Sequence, residues 1–342
     1  MLTRPVPEVA PVRERTTSAD THADEPAVSR DVAIDRFRGG LVVLMISGNY
    51  AAGVAWVPGY LKHATGTGFT VADLVAPAFV FAIGLTYGPS FRRHSRSGRV
   101  GAYRHFVNRN LALIGIGAIL SLVSTTFVHA PRFWGVLQAL GATGLFTLLF
   151  IGLGTAWRFA IGLALIGAHQ LGLDNSSEMF HQVVGSSLGG AYGVVSWSGL
   201  LLLSTAVADL ARRGSGTFLL TCAGTWIAAI AALPIAPASR NQLTISFMLV
   251  CLAVSATAYY LVDLVARATD WAPASFAWCG SNALLLYLAH EAMLGIFRLP
   301  KAPWWYSHAS IPLSFAELGI MLALLSALAG IVSRHGRPLA LL

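Results

Sequence analysis

The chain has 342 residues, of which 55% are hydrophobic and only 11% charged, and its mean hydropathy is +0.65. Soluble domains carry about 25% charged residues, so this composition cannot clothe a water-soluble globule and is one suited to lipid. The formal charge of +8 rests on 21 Arg and 2 Lys set in short clusters between apolar runs, which is the pattern of a membrane topology signal and not of a nucleic-acid stripe.

Residues 1–30 are polar and Pro-containing, and seven of the fifteen acids lie within the first 35 positions. This stretch has no apolar core of the ~7–15 residues that a signal peptide needs, and it is expected to be a disordered cytoplasmic tail. Residues 31–342 are expected to form one transmembrane domain. A bilayer core of ~30 Å takes about 20 apolar residues as helix. Ten such segments follow in order: 39–57, 71–91, 106–128, 133–152, 156–173, 188–209, 217–236, 244–265, 277–297 and 312–332. Backbone groups facing lipid must be paired within the segment, and the runs are continuous and not alternating, so an all-α polytopic bundle of about ten helices is expected over a barrel.

Placing both termini in the cytoplasm puts 18 of the 23 basic residues on that side, six of them between the second and third segments (Arg92, Arg93, Arg96, Arg99, Arg104, Arg109). The positive-inside rule therefore orients the chain N-in and C-in. In a bacterial-type cell the expected location is the plasma membrane. The 34 glycines, with spacings such as Gly84-x-x-x-Gly88 and Gly189-x-x-x-Gly193, suit close helix packing; they leave room for a homodimer but identify no partner. Cys222, Cys251 and Cys279 stand apart, with no Cys/His metal spacing, so neither disulfides nor a metal are expected.

Ionisable residues inside such segments are costly and mark candidate sites. Asp35 and Arg38, three apart at the start of the first segment, read either as an interfacial ion pair or as an anchor for a phosphate. His63 lies in the first outer loop, ten residues before Asp73. A His there can act as general base or nucleophile with the carboxylate fixing its tautomer. Equally, Thr70-Val71-Ala72-Asp73 fits a helix capping box. His290-Glu291 lies about 12 Å of helical rise beyond Asn282, deep in the ninth segment, and favours a functional role; Asn282 itself reads as an N-cap. Glu317, near the start of the tenth segment, is left unassigned.

Several stretches together resemble the heparan-α-glucosaminide N-acetyltransferase family of multipass membrane acyltransferases. They are Ala33-Ile34-Asp35-x-Phe37-Arg38-Gly39 with Asn49-Tyr50, then Lys62-His63-Ala64 through Gly68-Phe69-Thr70-Val71-Ala72-Asp73-Leu74-Val75-x-Pro77. Gly135-Val136-Leu137-Gln138-x-Leu140-Gly141, the Ser246-Phe247 region, and Asn282-x-Leu284-x-x-Tyr287-x-x-His290-Glu291 follow in the family's order. The resemblance implies transfer of an acyl group, typically acetyl from acetyl-CoA, to an amine or hydroxyl of a glycan-type or small-molecule acceptor. It implies a catalytic His63 on the non-cytoplasmic side, where the charge count also puts it. Asp73 would orient His63; Asn49, Gln138, Asn282, His290 and Glu291 would line the donor or acceptor pocket; Asp35 and Arg38 would stand near the CoA phosphates. Two other classes compete: a proton-coupled transporter built on His290 and Glu291, and a separate group of membrane O-acyltransferases that opens with an Asp-x-x-Arg-Gly helix. Neither needs the His63-to-Asp73 stretch.

Overall fold

A computed structural model describes residues 32–64, 66–128, 134–269, 274–300 and 302–335, with the side chains of 123–128 excepted. The tail expected to be disordered, and Arg132, Lys301 and Arg337 of the charge count, lie outside the described residues.

Twelve α-helices and no strand occur among the described residues: α1 (Val32–Ala52), α2 (Val75–Arg96), α3 (Arg99–Val128), α4 (Val136–Leu148), α5 (Thr155–Asn175), α6 (Ser177–Gly185), α7 (Gly190–Ala211), α8 (Ser215–Ala232), α9 (Ile245–Ala268), α10 (Ala274–Ser281), α11 (Ala283–Arg298) and α12 (Ile311–Arg334). Each of the ten apolar segments overlaps α-helix among the described residues, the ninth two helices. Six helical stretches are long and apolar enough to cross a membrane: Val71–Arg96, Arg99–Leu122, Ser187–Ala211, Ser215–Ala232, Ile245–Ala268 and Ile311–Arg334. The ninth segment is broken into α10 and α11 at Asn282. That residue occupies the N-cap position of α11 without capping it; its amide Nδ2 turns back to Trp278 O (2.9 Å) and across to Ser333 Oγ of α12 (3.0 Å).

The centre of the molecule is α7, with Leu200 to Leu203 all buried beside the small polar side chains of Ser196, Ser198, Ser204 and Thr205. It packs against α2, α4 and α5. With α5 the approach is close because both helices present glycine: a Cβ on Gly199 would stand 2.7 Å from Gly162 O, and one on Gly162 would stand 2.9 Å from Gly199 O. Two small residues facing each other let backbones meet at van der Waals distance. A second group forms where α1 packs on α10, α11 and α12 around Val42, Ile46, Tyr50, Leu286 and Met321.

Pro89 lies inside α2. It has no N–H, so the carbonyl of Leu85, one turn earlier, loses its helical donor. Arg212, just past α7, supplies one from Nη2 at 2.5 Å. Nearby, Arg38 of α1 donates to Thr86 Oγ1 (2.8 Å) and Ala82 O (3.2 Å) of the same helix. Two arginines thus bolt α1 and α7 to α2.

Connections among the described residues meet at two places in the bundle. At one end the α1–α2 loop meets the α8–α9 loop and the α11–α12 loop, through Arg240 N to Gly68 O (3.0 Å) and Ala55 N to Ser307 O (2.7 Å). At the other, Arg92 at the end of α2, Arg158 in α5 and Asp209 in α7 come together.

Candidate active site

The loop from α1 to α2 is shaped by one carboxylate. Thr70 is extended and caps a 3₁₀ turn, Val71–Leu74, with Asp73 as its third residue; the reciprocal capping box is formed. Asp73 Oδ2 accepts from Thr70 N (2.8 Å) and Ala64 N (3.1 Å). The Thr70 hydroxyl gives its single proton to Lys62 O at 2.5 Å, which folds the loop back on itself. Gly68 sits at φ +98 in this turn, a conformation that a side chain makes costly.

The other oxygen faces His63. Nδ1 of His63 is 2.8 Å from Asp73 Oδ1. An ionised carboxylate only accepts, so Nδ1 carries the proton and the lone pair of Nε2 is left available. The Asp73 side chain is fully buried, whereas that of His63 is 40% exposed: the carboxylate is sealed and the imidazole is open. Asp73 thus makes the capping contacts through Oδ2 and the His63 contact through Oδ1. Arg240 Nε also reaches Oδ1, at 3.3 Å, while Asn241 Nδ2 donates to Gly66 O (2.9 Å).

A second polar group joins α1 to α11. Asn49 Nδ2 lies 2.9 Å from Nε2 of the buried His290. Glu291 Oε1 is 3.5 Å from the same Nε2, with its side chain 40% exposed. Asn49, His290 and Glu291 thus come together, and no described hydrogen bond joins them to His63 and Asp73. Next to Asn49, Tyr50 donates to the buried Glu317 Oε2 (2.5 Å), so the unassigned Glu317 is an interior acceptor and not an interfacial charge. Tyr306 donates to Tyr50 O (2.9 Å); burial raises its phenol pKa, which keeps it a donor.

The remaining candidates have other surroundings. Gln138 accepts from Gly135 N (2.9 Å) and donates to Ser121 Oγ of α3 (2.9 Å), closing the first turn of α4. Asn282 holds the α10–α11 break. Asp35 is buried in the first turn of α1, and Arg38 spends donors on α2.

Sequence reasoning missed Arg240, Asn241 and the residues that carry their loop. His169 Nε2, buried in α5, lies 3.1 Å from Gln242 O, and Gln170 Oε1 accepts from Ile245 N (3.1 Å). An adjacent His-Gln pair within an apolar segment was a signal of the same kind as His290-Glu291; nothing local marked Arg240. Among the described residues no group of three or more His, Cys, Asp or Glu is placed to hold a metal ion.

A helical bundle with membrane-crossing spans and a carboxylate-oriented histidine in a connecting loop defines a multipass membrane protein. Residues 30–245 match the profile described as heparan-alpha-glucosaminide N-acetyltransferase, catalytic, and the chain belongs to that family. It is 35% identical over 144 residues to the heparan-alpha-glucosaminide N-acetyltransferase of Mus musculus, a match covering 39% of this chain and 21% of that protein. To the Homo sapiens protein of the same name it is 37% identical over 119 residues, covering 32% of this chain and 17% of the relative. The match thus spans about a fifth of the length of these relatives.

Proposed function

We propose that this protein is a membrane acyltransferase that moves an acyl group, acetyl first among them, from acyl-CoA to an amine or hydroxyl of a glycan-type or small-molecule acceptor. The observation that carries the reading is the His63–Asp73 pair: a buried carboxylate held by backbone donors, aimed at Nδ1 of a histidine whose Nε2 stands open. As general base, Nε2 takes the proton of the acceptor N–H or O–H while the new acyl bond forms and the C–S bond of the donor breaks; the proton then leaves on the CoA thiol. As nucleophile, Nε2 takes the acyl group as the C–S bond breaks and CoA leaves as thiolate; the acceptor then attacks the acyl carbon, the Nε2–acyl bond breaks, and the acceptor's proton goes to the thiolate. Double-displacement kinetics distinguish the second route from the first. Arg240 positions Asp73. Asn49, His290 and Glu291 line the path of the donor or acceptor through the bundle.

Residues 31–342 act in this reading as one domain of ten passes, with both termini cytoplasmic in the plasma membrane and His63 on the opposite face. The gathering of Arg92, Arg158 and Arg212 around Asp209 at the end away from the His63 loop supports that topology.

The test is purified protein with acetyl-CoA and an amino-sugar acceptor, with CoA release and acetylated product read by mass spectrometry. His63→Ala is expected to lose transfer by about 10²–10⁴-fold, the scale of general-base loss, while unfolding at the wild-type temperature, because the side chain is half exposed in a loop. Near-normal transfer by the variant would overturn the assignment.

A further inference from the structure

The arginine-rich end of the bundle holds a cleft of about 310 Å³ that contains none of the residues assigned above to acyl transfer. Its walls are Arg92, Ser95 and Arg96 of α2, Arg99 at the start of α3, and the Gly152-Leu153 turn between α4 and α5. Charge here is out of balance. The acid in this region, Asp209, is already engaged by Arg158 Nη2, by Arg92 Nη2 (3.1 Å), by Thr155 Oγ1 (3.0 Å) and more distantly by Arg212 (3.7 Å). Among the described residues neither Arg96 nor Arg99 has an ion-pair partner. Three guanidinium groups therefore share one carboxylate, and two more stand beside them without an acid.

Donors are also left over. The Arg158 side chain is 2% exposed, yet its Nη1 has no hydrogen-bond partner, and the buried Ser95 Oγ in the cleft wall has none either. Gly88 shows where the first of these points: the place a Cβ would take on it is 3.5 Å from Arg92 Nη1 and 3.6 Å from Arg158 Nη1. Two guanidinium nitrogens, one from the cleft wall and one from behind it, converge over a residue with no side chain. An unmet buried donor on a charged group is costly, and the planar guanidinium fork matches phosphate oxygens.

We infer that this cleft binds the phosphate of an anionic ligand, with Arg96 and Arg99 as outer contacts and Ser95, Arg92 and Arg158 as the deeper donors. Phe91, Ile151 and the exposed Leu153 line the cleft beside the arginines, and the Tyr103 ring stands 5.1 Å from that of Phe91, so the ligand carries an apolar or aromatic portion beside its phosphate. The two sources of that chemistry are an anionic phospholipid headgroup and a soluble nucleotide. The cleft lies at the opposite end of α2 from the His63 loop, and α2 is 22 residues or ~33 Å of rise long.

The experiment measures thermal unfolding and native-mass-spectrometric retention for the full chain in micelles with two probes, dioctanoyl phosphatidic acid and adenosine 3′,5′-bisphosphate, at low and high salt. At least one probe is expected to raise the unfolding temperature of the wild type, with affinity falling at least tenfold in Arg96→Gln/Arg99→Gln and weakening with salt. Stabilisation by the lipid alone assigns a headgroup, and by the bisphosphate alone a nucleotide; either supports the site. Arg99→Gln alone, expected to cost severalfold, serves if the double variant does not fold. Absence of any shift in the wild type, or equal binding by the variants, would overturn the proposal.

Discussion

Asp73 divides its two oxygens between two tasks, and that division sets what a substitution does. Oδ2 accepts backbone donors that shape the loop, and Oδ1 accepts from His63 and Arg240. Asn keeps one acceptor and turns an amide N–H toward donors on the other side. Asp73→Asn is therefore expected to lose stability by about 2–3 kcal/mol, beyond the ~1 kcal/mol of a cap alone and on the scale of buried donors left unmet. It is also expected to slow transfer by releasing the His63 tautomer. Unfolding in detergent beside specific activity checks both; wild-type stability with lost activity would show that the capping oxygen carries no strain. Arg240→Gln tests the second contact to Oδ1. It is expected to lower kcat roughly 10–100-fold, the scale of a hydrogen bond to a charged group, with KM little changed because the side chain orients the dyad. A rise in KM alone would place Arg240 in substrate binding.

Among the elements, α2 carries both sites at its ends and a proline between them. The Leu85 carbonyl freed by Pro89 is met by Arg212. Arg212→Ala is expected to destabilise the wild type by about 1–3 kcal/mol and to cost clearly less in a Pro89→Ala background, where the restored N–H takes over that carbonyl. Additive effects in the double-mutant cycle would mean that Arg212 acts elsewhere. The α5–α7 contact is set by size alone. Leu in place of Gly199 puts a side chain where Gly162 O lies 2.7 Å from a Cβ, so the helices must separate along the most buried element of the molecule.

For the whole molecule, the sharpest consequence of the proposed topology is that the α2–α3 turn and the α6–α7 turn lie on opposite faces of the membrane. The three native cysteines are buried, so single exposed cysteines can be read against a low background. Ser97→Cys is expected to react with an impermeant maleimide only in inverted vesicles, and Ser187→Cys only in right-side-out cells. Labelling of both from the same side would overturn the ten-pass arrangement.

The helical segments were legible because lipid imposes a length and an apolar composition that any crossing helix must satisfy locally. His63 and Asp73 were legible for a similar reason: they are ten residues apart in one loop, and a capping motif that fixes a carboxylate is written in four consecutive residues. The break at Asn282 was not, because what turns its amide away from the cap is Ser333, on a helix that only packing brings near. Gln138, a pocket candidate by its motif, finds its partners within the α3–α4 pair. Arg240 and the His169-Gln170 pair that carries its loop took their meaning from contacts between elements remote in the chain. Composition and local motifs thus determined that the chain is a helical membrane protein with an oriented histidine. Which distant donors close around that histidine, and which arginines are left without an acid, was decided by packing alone, since pairing between helices depends on their relative placement and leaves no periodicity in the sequence.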